Sequence, residues 1–209
     1  MTDATTERIA AALGAGADLG EAAEVAVTRV AERAEREGLA DVAYAPYDSP
    51  LGPGLVAATD RGLVAVALPN RDADDFLTQL AAGVSPRVLE LPARLDRVRR
   101  ELDEYFAGRR REFDLGLDWS LVPPGFYGRV LRATAKLPYG VTTSYGEVAA
   151  RAGNPRAFRA AGTALGHNPI PIVVPCHRVL RAGGVLGNYG GGPEMKAFLL
   201  KLEGALTDG

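Results

Sequence analysis

Ile170-Pro171-Ile172-Val173-Val174-Pro175-Cys176-His177-Arg178-Val179 is an apolar run that stops at a proline. The only cysteine of the chain and one of its two histidines stand immediately beyond it. A run of β-branched residues between turn formers reads as a buried extended segment. A thiol at the end of such a segment is held rigidly and still faces a cleft. Cysteine reacts as its thiolate, and a neighbouring imidazole or cation is the usual means of lowering its pKa. His177 and Arg178 put both kinds of group next to Cys176. Free cysteine is also among the most buried residue types, so the Cys-His pair alone is equally compatible with a packed core.

The longer string Asn168-Pro169-Ile170-Pro171-Ile172-Val173-Val174-Pro175-Cys176-His177-Arg178-Val179 closely resembles the active-site signature of the O6-alkylguanine-DNA alkyltransferases, whose core is Pro-Cys-His-Arg-Val. Further matches in the right order extend from about Ala43 to Gly204, denser after Pro124. The resemblance is to the single-cysteine type without a regulatory domain. It implies a small N-terminal RNase H-like α/β domain with an antiparallel sheet, then a mainly helical domain with a winged helix-turn-helix, an α+β protein overall.

Working outward, the chain has 209 residues, 47% hydrophobic and 24% charged, the composition of a globular protein. One cysteine forms no internal disulfide, and a nucleophilic thiol calls for a reducing compartment, so the cytoplasm is expected. No apolar run approaches the roughly 20 residues that span a bilayer, and Met1 to Glu7 lacks the basic start of an export signal, so no membrane association is expected. With one Cys and two His, a closed structural zinc site of the usual type cannot be assembled within the chain. Some relatives carry one near the N-terminus; no metal and no cofactor are expected here.

The net charge of -2 conceals an asymmetry. Between Pro124 and Glu203 there are ten basic residues and three acidic ones, against fourteen and twenty-three in the remainder. A basic C-terminal half suits a polyanion, although sign asymmetry alone does not identify DNA.

Residues 1–40 read as a helical extension outside the resemblance, with an apolar stripe of Ala22, Val25, Ala26, Val30 and Ala34 suited to packing on the body. Residues 41–120 form the N-terminal domain. Leu55 to Thr59 and Leu63 to Leu68 alternate about Asp60-Arg61-Gly62, a hairpin signal. Helices are expected over about 72–82 and 93–109, with extended stretches at 87–91 and 112–117. Leu121-Val122-Pro123-Pro124-Gly125 opens the C-terminal domain, 121–209. There Phe126 to Leu137 reads as a helix, and Thr143 or Ser144 caps another over Tyr145 to Ala152. Gly153-Asn154-Pro155 separates that helix from one over Arg156 to Gly166, a helix-turn-helix pattern.

The resemblance assigns a role to each matching position. Cys176 is the nucleophile, His177 the base acting through a water, Glu203 the carboxylate that orients it, and Asn168 the hinge between the groove-binding helix and the active-site segment. Tyr145 helps to rotate the nucleotide and donates to guanine N3. Arg159 intercalates where the base was, on a helix lying in the minor groove; a phosphate contact is its alternative. Arg156, Ala157, Ala160 and Gly162 belong to the same DNA-contacting helix, where small residues permit close approach. Phe158 is bulkier than the small residue often found at its position. Pro171, Val179, Tyr189, Gly190 and Lys196 are the implied substrate pocket. The glycine-rich run Val185 to Gly192 lacks the Lys-Ser or Lys-Thr of a phosphate loop and matches the pocket loop instead.

The implied activity is direct repair of double-stranded DNA by a monomer. A methyl or small alkyl group passes irreversibly from O6-alkylguanine, less well from O4-alkylthymine, to Cys176 after base flipping. Two other readings use the same residues. A DNA-binding damage sensor without transfer activity has no need of Cys176, and a cysteine hydrolase has no need of Arg159.

Overall fold

The computed structural model describes residues 36–206 together with Arg29, Ala31, Arg33 and Ala34. Most of the helical extension and its apolar stripe lie outside the described residues. The chain divides into two compact units, Met1–Ala40 and Asp41–Gly209, and the site belongs to the second.

That unit begins with β1 (Val42–Tyr47), β2 (Gly54–Thr59) and β3 (Gly62–Ala67), an antiparallel meander. Thr59 pairs with Gly62, so Asp60 and Arg61 alone make the hairpin loop. Gly62 has φ +129°, and a Cβ there would lie 2.2 Å from the Gly116 carbonyl oxygen, so the turn and the passing chain both require glycine. α1 (Ala73–Gly83) is capped by Asp72, whose carboxylate accepts from the Asp75 amide at 3.0 Å. It carries the chain across the sheet to β4 (Val88–Glu90), which pairs with β1. β3 and β1 run the same way, so this crossover lands β4 parallel to β1, and the expected antiparallel sheet gains one parallel edge. Val42, Ala57, Val64, Ala65, Ala67, Phe76 and Leu80 form the core between sheet and helix.

The helix expected over 93–109 divides into a 3-10 turn, Pro92–Leu95, and α2 (Asp96–Phe106). α2 buries Val98, Leu102, Tyr105 and Phe106 on one face. The extended stretch expected at 112–117 reduces to a single bridge between Leu63 and Leu117.

In the C-terminal half, α3 (Phe126–Thr134) precedes β5 (Thr143–Ser144) and α4 (Tyr145–Arg151). Ser144 is the cap, in a full capping box: its hydroxyl accepts from the Glu147 amide at 3.2 Å, and Glu147 accepts from the Ser144 amide at 2.7 Å. α5 (Phe158–Gly166) starts two residues later than the spacing suggests. Residues 154–157 are used in a turn closed by the Ala157 amide on the Asn154 carbonyl at 3.0 Å, leaving Arg156 and Ala157 before the helix. α4 and α5 with that turn make the helix-turn-helix. β6 (Val179–Leu180) pairs parallel with β5, and α6 (Gly192–Leu202) completes the unit.

Residues 168–175 correct the reading of an extended segment before Cys176. The Val174 amide closes a turn on the Ile170 carbonyl at 2.8 Å, and Cys176–Arg178 is a 3-10 turn. Ile172 has φ +73°, the only such value at a non-glycine position among the described residues. A β-branched residue there stores on the order of 1–3 kcal/mol of strain. Prolines at 169, 171 and 175 remove the amide donors that a strand would need. The Val66 amide of β3 donates to the Pro169 carbonyl at 2.8 Å, binding the sheet to this segment.

Candidate active site

The turn places Cys176 at the wall of a cleft of about 780 Å³ bordered by α4, α5 and the 181–190 loop. It is 7% exposed. Asn168 holds it from behind: the side-chain amide donates to Sγ at 3.2 Å and to the Val174 carbonyl at 2.8 Å, while Oδ1 accepts from the Ile170 amide at 3.1 Å. One residue at the end of α5 thereby fixes both the thiol and the strained turn.

His177 through Nε2 and Arg178 through its guanidinium are engaged by a buried carboxylate. Both turn to Glu203, which caps the end of α6. His177 Nε2 lies 2.9 Å from Oε1, and Arg178 donates to Oε1 from Nη2 at 2.9 Å and to Oε2 from Nε at 2.8 Å. Tyr105 of α2 donates to Oε1 at 2.7 Å and the Gly140 amide to Oε2 at 3.2 Å. Burial by itself would raise the Glu203 pKa, but the bonds from His177 and Arg178 outweigh it and hold the group at about 2. A carboxylate only accepts, so Nε2 carries the histidine proton and Nδ1 is the free base. Burial lowers the His177 pKa against the pull of Glu203, keeping the ring neutral, and Nδ1 is buried with no protein partner. Burial likewise pushes the Cys176 thiol up, opposed by the Asn168 bond and the charge of Lys196. At rest the Cys176 thiol is therefore protonated and the His177 imidazole neutral.

Lys196 is fully buried, donates to the Val179 carbonyl at 2.6 Å, and is brought down to about 8 by burial. Tyr145, the first residue of α4, lines the cleft, and its hydroxyl passes so close to the 187 backbone that a Cβ there would stand 2.5 Å away. Burial raises its pKa, followed by the effect of Cys176, so it remains a donor. Arg159, Phe158 and Gly162 line the same cleft from α5. Arg156 is exposed, and Arg156, Ala157 and Ala160 stand outside the lining.

A second cavity, of about 250 Å³, meets Cys176 from the β3 side and is lined by Pro171, Tyr189, Gly190, Val66, Leu68, Asn70 and Arg71. Val179 and Lys196 line neither cavity and support the turn from behind. Tyr189 turns its hydroxyl inward, buried and without a protein partner, with its ring 6.3 Å from that of His177. Among the described residues no group of three or more His, Cys, Asp or Glu side chains could hold a metal, and no helix is long and apolar enough to cross a membrane.

Residues 42–119 match the family model described as 6-O-methylguanine DNA methyltransferase, ribonuclease-like domain, and residues 125–205 match its DNA binding domain. A methylated-DNA–protein-cysteine methyltransferase of Methanosarcina acetivorans is 41% identical over 165 residues, 78% of this chain and 98% of the relative. The chain belongs to the methylated-DNA–protein-cysteine methyltransferase family. A crystal structure of Mycobacterium tuberculosis O6-methylguanine methyltransferase covers 78% of this chain and 92% of its own at 41% identity, with a TM-score of 0.67. The M. tuberculosis protein in complex with DNA matches at 40% identity and a TM-score of 0.67, covering 77% of this chain and 92% of that one.

Two parts of this methyltransferase site were not read from the sequence. Tyr105 reaches Glu203 from 98 residues away, and Asn70 donates to the Gly190 carbonyl at 2.9 Å, tying the pocket loop to the sheet half. A tyrosine on the buried stripe of α2 reads as core, and the one available signal is its hydroxyl, since a buried phenol takes a partner. The basic half also divides: Arg178 and Lys196 are buried, while Arg129, Arg132, Lys136, Arg151, Arg156, Arg159, Arg181 and Lys201 remain on the surface.

Proposed function

We propose that this protein repairs double-stranded DNA directly, taking a methyl or small alkyl group from O6 of guanine onto Cys176. The observation that carries the reading is the position of Cys176 between an open cationic cleft and the buried His177–Glu203 pair. The alkylated oxygen is inside the duplex, so the nucleotide must rotate out to reach the thiol. In this reading α5 lies in the minor groove, Arg159 enters the vacated stack, and Tyr145 donates to guanine N3. Residues 41–120 buttress the site and residues 121–209 carry the thiol and the DNA contacts. The protein acts as a monomer, without a cofactor, in the reducing cytoplasm.

The chemistry is a single in-line displacement. The thiol proton passes through a water to His177 Nδ1 as the Sγ–carbon bond forms and the carbon–O6 bond breaks. The imidazolium then returns that proton through water to the guanine anion, leaving guanine and S-alkylcysteine. Glu203 stays ionised and stabilises the imidazolium that forms, as the third member of a triad does. Asn168 donates to the sulfur as its negative charge develops. A thioether is a stable product, so each molecule acts once. Cys176→Ser tests the assignment: duplex binding should persist while transfer is abolished, because an alcohol at neutral pH is a far weaker nucleophile than a thiol with a base. Transfer near the parent rate would overturn it.

A further inference from the structure

Phe158 has no part in the chemistry above, yet it is 49% exposed at the mouth of the cleft. It is the first residue of α5, and its ring lies 5.6 Å from the guanidinium carbon of Arg159. Apart from Arg159, the residues around it are small, Ala157 before the helix and Ala160, Ala161 and Gly162 on it, so the ring projects from an otherwise low surface. Arg159 and Arg181 share the cleft with it, and no acidic side chain lines that wall. Aromatic faces interleaved with cations and free of carboxylates suit unstacked bases between phosphates, and suit an apolar protein partner poorly.

We propose that Phe158 is a second DNA-stacking residue, its ring seated against the base step beside the one that Arg159 enters. Apolar wedges of this kind hold a minor groove open by unstacking a step. Successive helical residues diverge by about 100°. The length of the arginine nevertheless brings its guanidinium back over the ring, so the two side chains act as one thick edge on neighbouring steps. The opened duplex is then kept from closing while the lesion occupies the pocket. The proposal rests on the DNA-repair reading given above.

The test compares transfer rates from O6-methylguanine duplex and from free O6-benzylguanine for the parent, Phe158→Ala and Phe158→Trp. Stacking of one base on an aromatic side chain corresponds to about 5- to 150-fold. The loss in Phe158→Ala should therefore be about tenfold greater on duplex than on the free base. Phe158→Trp should recover most of it, and its added indole fluorescence, measured against the Trp119 background, should be quenched on binding duplex. A Phe158→Ala protein as fast as or faster than the parent on duplex would overturn the proposal, as would equal losses on both substrates or an unquenched indole. A parent that forms no adduct from duplex would overturn the repair reading itself.

Discussion

The two sides of Cys176 are built in opposite ways. Toward α6, Glu203 takes five hydrogen bonds, from Tyr105, His177, Gly140 and twice from Arg178, all but the half-buried Gly140 bond in the interior. Toward α4 and α5, Phe158, Arg159, Arg181 and Asn188 stand in solvent around an open cleft. The closed side already has the geometry and charge that a proton transfer needs, so little reorganisation remains when the reaction begins. The open side is, on this account, a recognition surface whose side chains gain order when a ligand enters. Substitutions on the closed side should therefore damage the fold and the chemistry on every substrate. Those on the open side should spare the fold and select between duplex and free base.

The sharpest way to break this contrast is Glu203→Gln. Removing one partner of a buried ion pair costs about 3–5 kcal/mol, and Arg178 is the charge left behind. Urea unfolding should show a loss of that size, with transfer from both substrates nearly abolished. The pH dependence has a definite sign. Glu203 is depressed from 4.5 to about 2 in the fold, so its contribution is present above the unfolded value and disappears as pH falls through about 2. The parent should lose stability between those limits, and Glu203→Gln should lose less. A variant as stable as the parent would mean that the network is ornamental.

Arg159→Ala addresses the open side. Transfer from duplex should fall about tenfold or more, the scale of one lost stacking contact, while urea stability changes little and the free base is affected less. Equal losses on both substrates would place Arg159 in the pocket and erase the difference between the two sides.

Tyr105→Phe is the smallest change and probes how the closed side is tuned. Without the phenol the Glu203 carboxylate is a stronger acceptor and holds the His177 proton more firmly. The histidine pKa therefore rises toward its ordinary value, and the base is protonated over a wider acid range. The acid limb of the transfer rate should move to higher pH, a few-fold loss near pH 6 that vanishes at alkaline pH. The groups facing His177 are Glu203, Arg178, Lys196 and the Tyr189 ring, and of these the substitution changes only the hydrogen bonding of Glu203. A uniform loss at all pH values would assign Tyr105 a packing role alone.

These regions differed in how far they could be read from the sequence. The β2–β3 hairpin follows from its alternation, and the α4 start from Ser144 and Glu147 three residues apart, because both are local signals. Cys176, His177, Asn168, Tyr145 and Glu203 were reached by family resemblance, and the structure brings all five to the cleft or the network behind it. What adjacency could not supply was direction. His177 and Arg178 follow the cysteine, and the 3-10 turn at Cys176–Arg178 aims His177 Nε2 and the Arg178 guanidinium at Glu203. The Ile-Pro-Ile-Val-Val run looks extended because branched residues favour strands, yet its prolines and the left-handed Ile172 make it a turn. Tyr105, Asn70 and the parallel β4 depend on contacts between distant segments, to which no local pattern points.

The most direct measurement is the intact mass of the protein after incubation with excess O6-methylguanine duplex, followed by peptide mapping. One methyl group per chain, carried by Cys176, with substrate loss stopping at one equivalent, is the expected result. Continued consumption of substrate without an adduct, or a methyl group on any other residue, would contradict the account.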